Sequence, residues 1–303
     1  MATTTSISTD FAAIVAVRAT TFNLQTPLLF DAQHDDSTVS PFDQFFENTL
    51  RLNKLWATKP EGFALEPEVG ILLLLGYVSA VESYMRALIR RIVAIDPYAQ
   101  SNCENLMLSF AAALHHKTPM LPEALLEESV FSGKKGILSG LSKFVGVDLN
   151  QNKDIEKLLD QYDSVCELRH CCVHRFGKLG TKNAVSLGLQ GHKQFLEKPL
   201  KLGVADIGMI ADLLLTVVRV INNELFKRVL TRTVLGASKG PGRETIKLGS
   251  DWSWNKSHDR SRYRRYYAIF ATVKDAPPSP AADDLYERFR AVYQSVTRDQ
   301  PRT

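Results

Sequence analysis

The chain has 303 residues, 45% hydrophobic and 23% charged, an ordinary globular balance that can build a sizeable core without disulfide or metal staples. Its four cysteines, two of them adjacent at Cys171 and Cys172, do not form a disulfide framework and suit a reducing compartment such as the cytoplasm; Met1–Asp10 lacks the basic and apolar blocks of a secretory signal. The net charge of +4 is unevenly placed. Lys239–Arg265 carries eight basic against three acidic residues, so an anionic partner is expected near the C-terminus.

Residues 1–40 show little helical period and read as an irregular arm. From Pro41 the pattern changes: Phe42, Phe45, Phe46, Thr49, Leu50, Asn53 and Trp56 recur at steps of three and four behind Ser40-Pro41, which predicts a capped amphipathic helix. A second helix is predicted from about Pro67 to Ala94. Its most apolar run, Val69–Val81, has thirteen residues, short of the roughly 20 a membrane span needs, and reads as the centre of a bundle. Further helices are predicted over Ala99–His116, Glu123–Ser129 and, after a basic loop at Ser132–Gly136, Ile137–Phe144.

The longest period starts at Lys153. Ile155, Leu158, Leu159, Tyr162, Val165, Cys166, Arg169, Cys172, Val173 and Phe176 form one stripe, which Gly177 and Gly180 end. Thr181–Leu202 reads as loop with a small hairpin around Ala184–Leu189, and Asp206 as the cap of a last core helix over Ile207–Thr231. A Gly/Pro linker at Gly236–Gly242 opens a basic, aromatic C-terminal extension, 236–303. There Ile246–Val273 alternates basic and aromatic residues and predicts two strands, and Asp284–Val296 predicts a short helix. The expected fold class is therefore all-α, a helical domain over 41–235 with a small β-containing extension.

Candidate chemistry gathers at Arg169-His170-Cys171-Cys172-Val173-His174. A charge on an apolar stripe, as at Arg169, wants a carboxylate, a phosphate or a second subunit beside it. An imidazole can move a proton near neutral pH, and arginine offers a fixed fork of donors to a phosphate and its developing charge. Together they are a minimal kit for cleaving a phosphodiester without a metal. The plainer alternative is an ion pair of Arg169 with Glu82 and a histidine that merely ends its helix. Neighbouring residues on a helix point about 100° apart, so His170, Cys171, Cys172 and His174 do not converge on one metal ion. Gly133-Lys134-Lys135-Gly136 and Gly236–Gly242 both lack the phosphate-loop pattern. In the C-terminal extension, Lys256, Arg260, Arg262, Arg264 and Arg265 lie near Trp252 and Trp254, cations and rings of the kind that single-stranded RNA binding uses. The alternative there is rings packed on the bundle with a solvated basic face.

Leu158–Gly177, LLDQYDSVCELRHCCVHRFG, resembles the signature helix of HEPN domains, whose motif is Arg-x(4–6)-His with a polar residue after the arginine; Arg169, His170 and His174 match it in place. Gly76–Val93 is similar to the first core helix of several HEPN families, with Glu82 placed to reach Arg169 or Arg86. The resemblance covers about residues 41–231. It implies a helical bundle that forms a homodimer, bringing two motifs into one cleft. It further implies metal- and cofactor-independent endoribonuclease activity, with His174 moving protons, Arg169 binding phosphate, His170 in support, and Glu82 and Arg86 behind them. Many relatives are toxins or antiviral effectors, which implies a neutralising partner protein. A non-catalytic dimerisation or RNA-binding module remains the alternative.

Overall fold

The structure, a computed structural model, describes residues 14–15, 24–35, 38–60, 62–63, 65–117, 120–150, 152–238, 245–249 and 251–298. Most of the expected N-terminal arm, and Lys239–Gly242 of the expected linker, lie outside the described residues. The chain divides into two units, Met1–Thr38 and Val39–Thr303. The first contains a short 3-10 turn, Thr26–Leu29. The second is all-α apart from a minimal ladder of strands.

Helix α1 (Pro41–Asn53) starts as its sequence predicts: Ser40 Oγ accepts from the Asp43 N–H at 3.1 Å, and Pro41 occupies the first turn. Its Phe42 and Phe45 are buried against α2 (Pro67–Ile95), the centre of the bundle. Leu73, Leu74, Tyr77, Val78, Val81, Tyr84, Met85 and Leu88 of α2 are all essentially inaccessible. By length and composition α2 is apolar enough to cross a membrane, but 61% of its most apolar window is buried inside the protein, as its reading as the centre of a bundle expects.

The predicted third helix is broken in two, α3 (Pro97–Cys103) and α4 (Phe110–His115). Asp96 caps α3 by accepting from the Ala99 N–H at 2.8 Å, and Ser109 caps α4 from the Ala112 N–H. Two local caps outcompete one longer helix, because serine and aspartate side chains offer the backbone a competing bond. A one-turn helix α5 (Leu121–Ala124) follows, then α6 (Lys134–Gly140), which passes into a π turn at Leu141–Val145.

Helix α7 (Lys153–Arg175) matches its predicted span, and Asn152 caps it through the Asp154 and Ile155 N–H groups. The hairpin expected near Ala184–Leu189 is instead two short helices, α8 (Thr181–Ser186) and α9 (Leu189–His192), with an isolated bridge between Lys178 and Pro199. Helix α10 (Val204–Leu235) extends the predicted last core helix at both ends, and Asp206 Oδ2 accepts from the Gly203 N–H at 2.8 Å.

The largest departure is in the C-terminal extension. Its strands are two residues each, β1 (Ala237–Ser238) pairing antiparallel with β2 (Thr245–Ile246). The basic, aromatic stretch read as two strands is a helix, α11 (Lys256–Phe270), and α12 (Ala282–Arg298) packs on it. The buried positions Asp259, Tyr263, Tyr266 and Phe270 recur at four, three and four residues. That is a helical period, and the basic residues between them mask it as an alternation. Polar side chains tie the layers together. Tyr84 donates to Asn222 Oδ1 at 3.2 Å, and Asn222 Nδ2 donates to the Phe270 carbonyl at 2.9 Å. Asp96, Arg232 and Tyr266 form a buried ionic cluster, with Arg232 Nη2 at 2.6 Å and the Tyr266 hydroxyl at 3.2 Å from the Asp96 carboxylate.

Candidate functional site

The inner face of α7 is fixed by its buried stripe and by Tyr162, whose hydroxyl donates to the Phe131 carbonyl at 2.8 Å. The helix ends where Phe176 and Gly177 turn left-handed, φ 51° and 85°, and the Gly177 N–H closes on the Cys171 carbonyl at 3.1 Å. Glycine suits 177 because its φ lies in the left-handed region, and a Cβ there would also sit 2.9 Å from Ile71 Cδ1 of α2. The last turn, which carries His174, therefore runs close against α2, and the Gly177 carbonyl accepts from the Leu200 N–H at 2.8 Å.

Arg169 stands at the edge of the stripe, a quarter exposed, with Glu82 of α2 as its ion-pair partner at 3.8 Å. That separation is Coulombic attraction without a hydrogen bond, so the guanidinium keeps its donors for another group. Of the two partners the sequence left open for Glu82, the structure selects Arg169. Arg86 turns away to Glu123 at 2.9 Å and to the Glu127 and Ser129 carbonyls; it is an anchor for the segment after α5 and does not support the motif.

His170 and His174 form a second group. Their rings lie 6.4 Å apart, and His170 Nδ1 is 4.0 Å from Glu167 Oε2. The same Glu167 oxygen accepts from Asn183 Nδ2 of α8 at 2.7 Å. Glu167, His170 and His174 follow one face of α7, and Asn183 holds the carboxylate at its end. Sequence reasoning missed Glu167, although its i−3 relation to His170 was readable; Asn183 reaches it only through the packing of α8.

These two groups do not meet. At 100° per residue, Arg169 and His174 point roughly 140° apart around α7. The chain therefore offers a guanidinium on one side and a pair of imidazoles on another, all reachable from solvent. Beside His174, Val173 and Phe176 expose 48% and 72% of their surface. Burial pushes the Cys171 thiol up and the Cys172 thiol up to about 11, so this vicinal pair is neutral packing rather than a nucleophile. Two cavities, about 370 and 480 Å³, lie elsewhere, the first around Arg219 and Asp275 and the second around Lys134 and Ser142.

In the C-terminal region the rings and cations separate. Trp252 is buried, donating to Thr233 Oγ1 at 2.9 Å and meeting Phe289 edge-on at 5.1 Å. Trp254 packs within 5.7 Å of the same ring. Trp252 is thus core and not a platform for bases. Arg262 lies over Trp252 and donates to the Asp251 carbonyl at 2.7 Å. Lys256, Arg260 and Arg264 line an exposed row of α11, and Arg265 is exposed beside it.

In comparisons with known proteins, no family model, no curated protein and no solved structure matches this chain.

Proposed function

We propose that this protein is a metal-independent endoribonuclease of HEPN type, acting as a homodimer in the cytoplasm. The supporting observation is the arrangement at the end of α7, where Arg169 is paired, among the described residues, only at 3.8 Å and the His170–His174 face is open to solvent. A second subunit supplies what one lacks, an arginine opposite the imidazoles. The exposed Val173 and Phe176 beside His174 give such a pairing apolar surface to bury.

In the proposed reaction an imidazole, His174, takes the proton of a ribose 2′-hydroxyl. The 2′-oxygen attacks the adjacent phosphorus, and Arg169 binds the phosphate oxygens as charge builds on them. The 5′-oxygen leaves with a proton from a second imidazole in its protonated, imidazolium form. The products are a 2′,3′-cyclic phosphate and a free 5′-hydroxyl. His170, steadied by Glu167 and Asn183, orients or relays. By the family resemblance, a toxin or antiviral role with a neutralising partner is the natural setting.

The test is full-length protein incubated with mixed RNA in EDTA. Cleavage should fall by about 10²–10⁴-fold in Arg169→Ala and in His174→Ala, with unchanged folding and oligomeric state. Undiminished cleavage in both variants rejects the assignment. The 140° separation favours a second reading, a non-catalytic HEPN dimerisation or RNA-binding module, and a protein that dimerises or binds RNA without cleaving it would select it.

A further inference from the structure

Asp283, in the first turn of α12, receives three cations of α11. Lys256 Nζ lies 3.2 Å from it, Arg264 Nη2 3.3 Å and Arg260 Nε 3.9 Å. The three bases occupy positions i, i+4 and i+8, one face of the helix, spread over about 12 Å of its axis. One carboxylate against three cations leaves an excess of two positive charges. The Lys256 ammonium, hydrogen-bonded to Asp283, holds its carboxyl below the usual carboxylate range, and Arg260 and Arg264 act in the same direction. The carboxylate is therefore an anion at neutral pH, sitting where three donors converge.

This contact is not what docks α12. That task falls to buried groups: the Tyr286 hydroxyl donates to Asp259 Oδ2 at 2.8 Å, Tyr286 meets the Tyr263 ring edge-on at 5.4 Å, and Phe289 packs among Trp252, Tyr263 and Tyr293. The cations themselves are about half exposed, while Asp283 is one-third exposed. A surface ion cluster of this kind contributes little stability, so its carboxylate can be displaced at small cost. A phosphate carries the same negative charge with more acceptor oxygens, and arginine forks favour it over a carboxylate already shared three ways.

We infer that Lys256, Arg260 and Arg264 form a seat for the phosphate backbone of RNA, and that Asp283 is a built-in competitor which an incoming phosphate displaces. The identity of the polyanion rests on the ribonuclease reading, while the seat and its competitor rest on the geometry of α11 and α12. Binding is thereby set to a threshold: a chain of phosphates displaces Asp283, whereas a single anion at low concentration does not.

The experiment uses full-length protein and a fluorescein-labelled 2′-O-methyl oligoribonucleotide, which 2′-hydroxyl attack cannot cleave, followed by anisotropy over a series of salt concentrations. Asp283→Asn should tighten binding several-fold. A triple variant, K256Q/R260Q/R264Q, should weaken it at least tenfold and reduce the salt slope by about 2, as expected for three lost contacts to a single strand. Circular dichroism and thermal melting confirm that α12 stays docked. Unchanged or weaker binding in Asp283→Asn, or a triple variant with normal affinity and slope, overturns the proposal. So does equal affinity for polyglutamate, which would point to an acidic protein partner. Loss of the seat's effect with intact Arg169-dependent cleavage rejects the seat alone; normal seat behaviour without any cleavage rejects the ribonuclease reading alone.

Discussion

The end of α7 and the outer face of α11 both present cations to solvent, but they hold them in opposite ways. On α11, Lys256, Arg260 and Arg264 converge on Asp283, and Arg262 rests on Trp252. On α7, among the described residues, Arg169 has one ion-pair partner at 3.8 Å and His170 one carboxylate at 4.0 Å. A cluster with its counterion in place is poised for exchange of one anion for another. A charge left loosely paired at a rigid helix end is poised to receive a group that a single chain does not provide. Both are held in place, the end of α7 by the bonds of Gly177 to the Cys171 carbonyl and the Leu200 N–H, and α11 by the Asp96–Arg232–Tyr266 cluster.

The largest effect should come from mixing inactive subunits. If Arg169 and His174 of different subunits complete one site, Arg169→Ala and His174→Ala proteins are each nearly inactive. Unfolding and refolding them together should then restore cleavage to about a quarter of the unmodified level, because half of the random dimers carry one intact site of two. Activity that stays at the level of the separate variants would mean that each subunit needs its own pair, in conflict with the 140° separation.

The next effect tests the anchoring of α11. Asp96 is fully buried, and its carboxylate serves Arg232, Tyr266 and the Ala99 N–H together. Asp96→Ala leaves the Arg232 guanidinium buried without its counter-charge, and urea unfolding should show a loss of about 3–5 kcal/mol. Among the described residues no equally buried ionic cluster lies at the His174 end, where His174 is exposed, so His174→Ala should fall within about 0.5 kcal/mol of the parent. If both variants lost the same stability, the contrast between the two regions would be mistaken.

How much of this was legible beforehand follows the same division. The helices α2, α7 and α10 carry long apolar periods, and their spans were readable to within a few residues. The Arg169–His174 motif was readable because it lies on one of them. The two-strand reading of α11 failed because its buried face is made of Asp259, Tyr263 and Tyr266, polar or amphipathic residues whose burial depends on partners far away in sequence. Tyr266 is covered because Asp96 lies behind it, and Asp259 because Tyr286 bonds to it. The same distance hides Asp283 and Asn183. Each matters through one contact between separate helices, and no local spacing encodes such a contact.

Smaller changes separate the two helix ends further. Gly177→Ala combines a left-handed φ of 85° with a clash at Ile71 Cδ1 and should cost about 1–3 kcal/mol. Its effect on cleavage should be larger than that stability loss implies, because it shifts the turn that carries His174. A comparable drop in stability from a capping change at the other end of α7, Asn152→Ala, costs about 1 kcal/mol and should leave cleavage unchanged. Measuring both variants by urea unfolding and by rate in EDTA separates position from stability; equal rates in the two would detach the turn from the chemistry.

The smallest effect is chemical and lies on the buried side of α7. Burial pushes the Cys166 thiol up to about 12, and Cys172 up to about 11. In the unfolded chain these thiols ionise near the ordinary value of about 8.5. Below that pH both states hold their protons and the folded chain loses nothing. As pH rises beyond it, the unfolded chain releases protons that the folded one retains, so stability must fall between about pH 8.5 and 11. Cys166→Ala and Cys172→Ala each remove one such group, and each should flatten the alkaline decline while lowering stability at pH 7 through lost packing. Iodoacetamide at pH 8 should leave both native thiols unmodified and label both in urea. Rapid labelling of the folded protein would mean that the inner face of α7 opens to solvent, and the rigid helix end on which Arg169 and His174 depend would be lost with it.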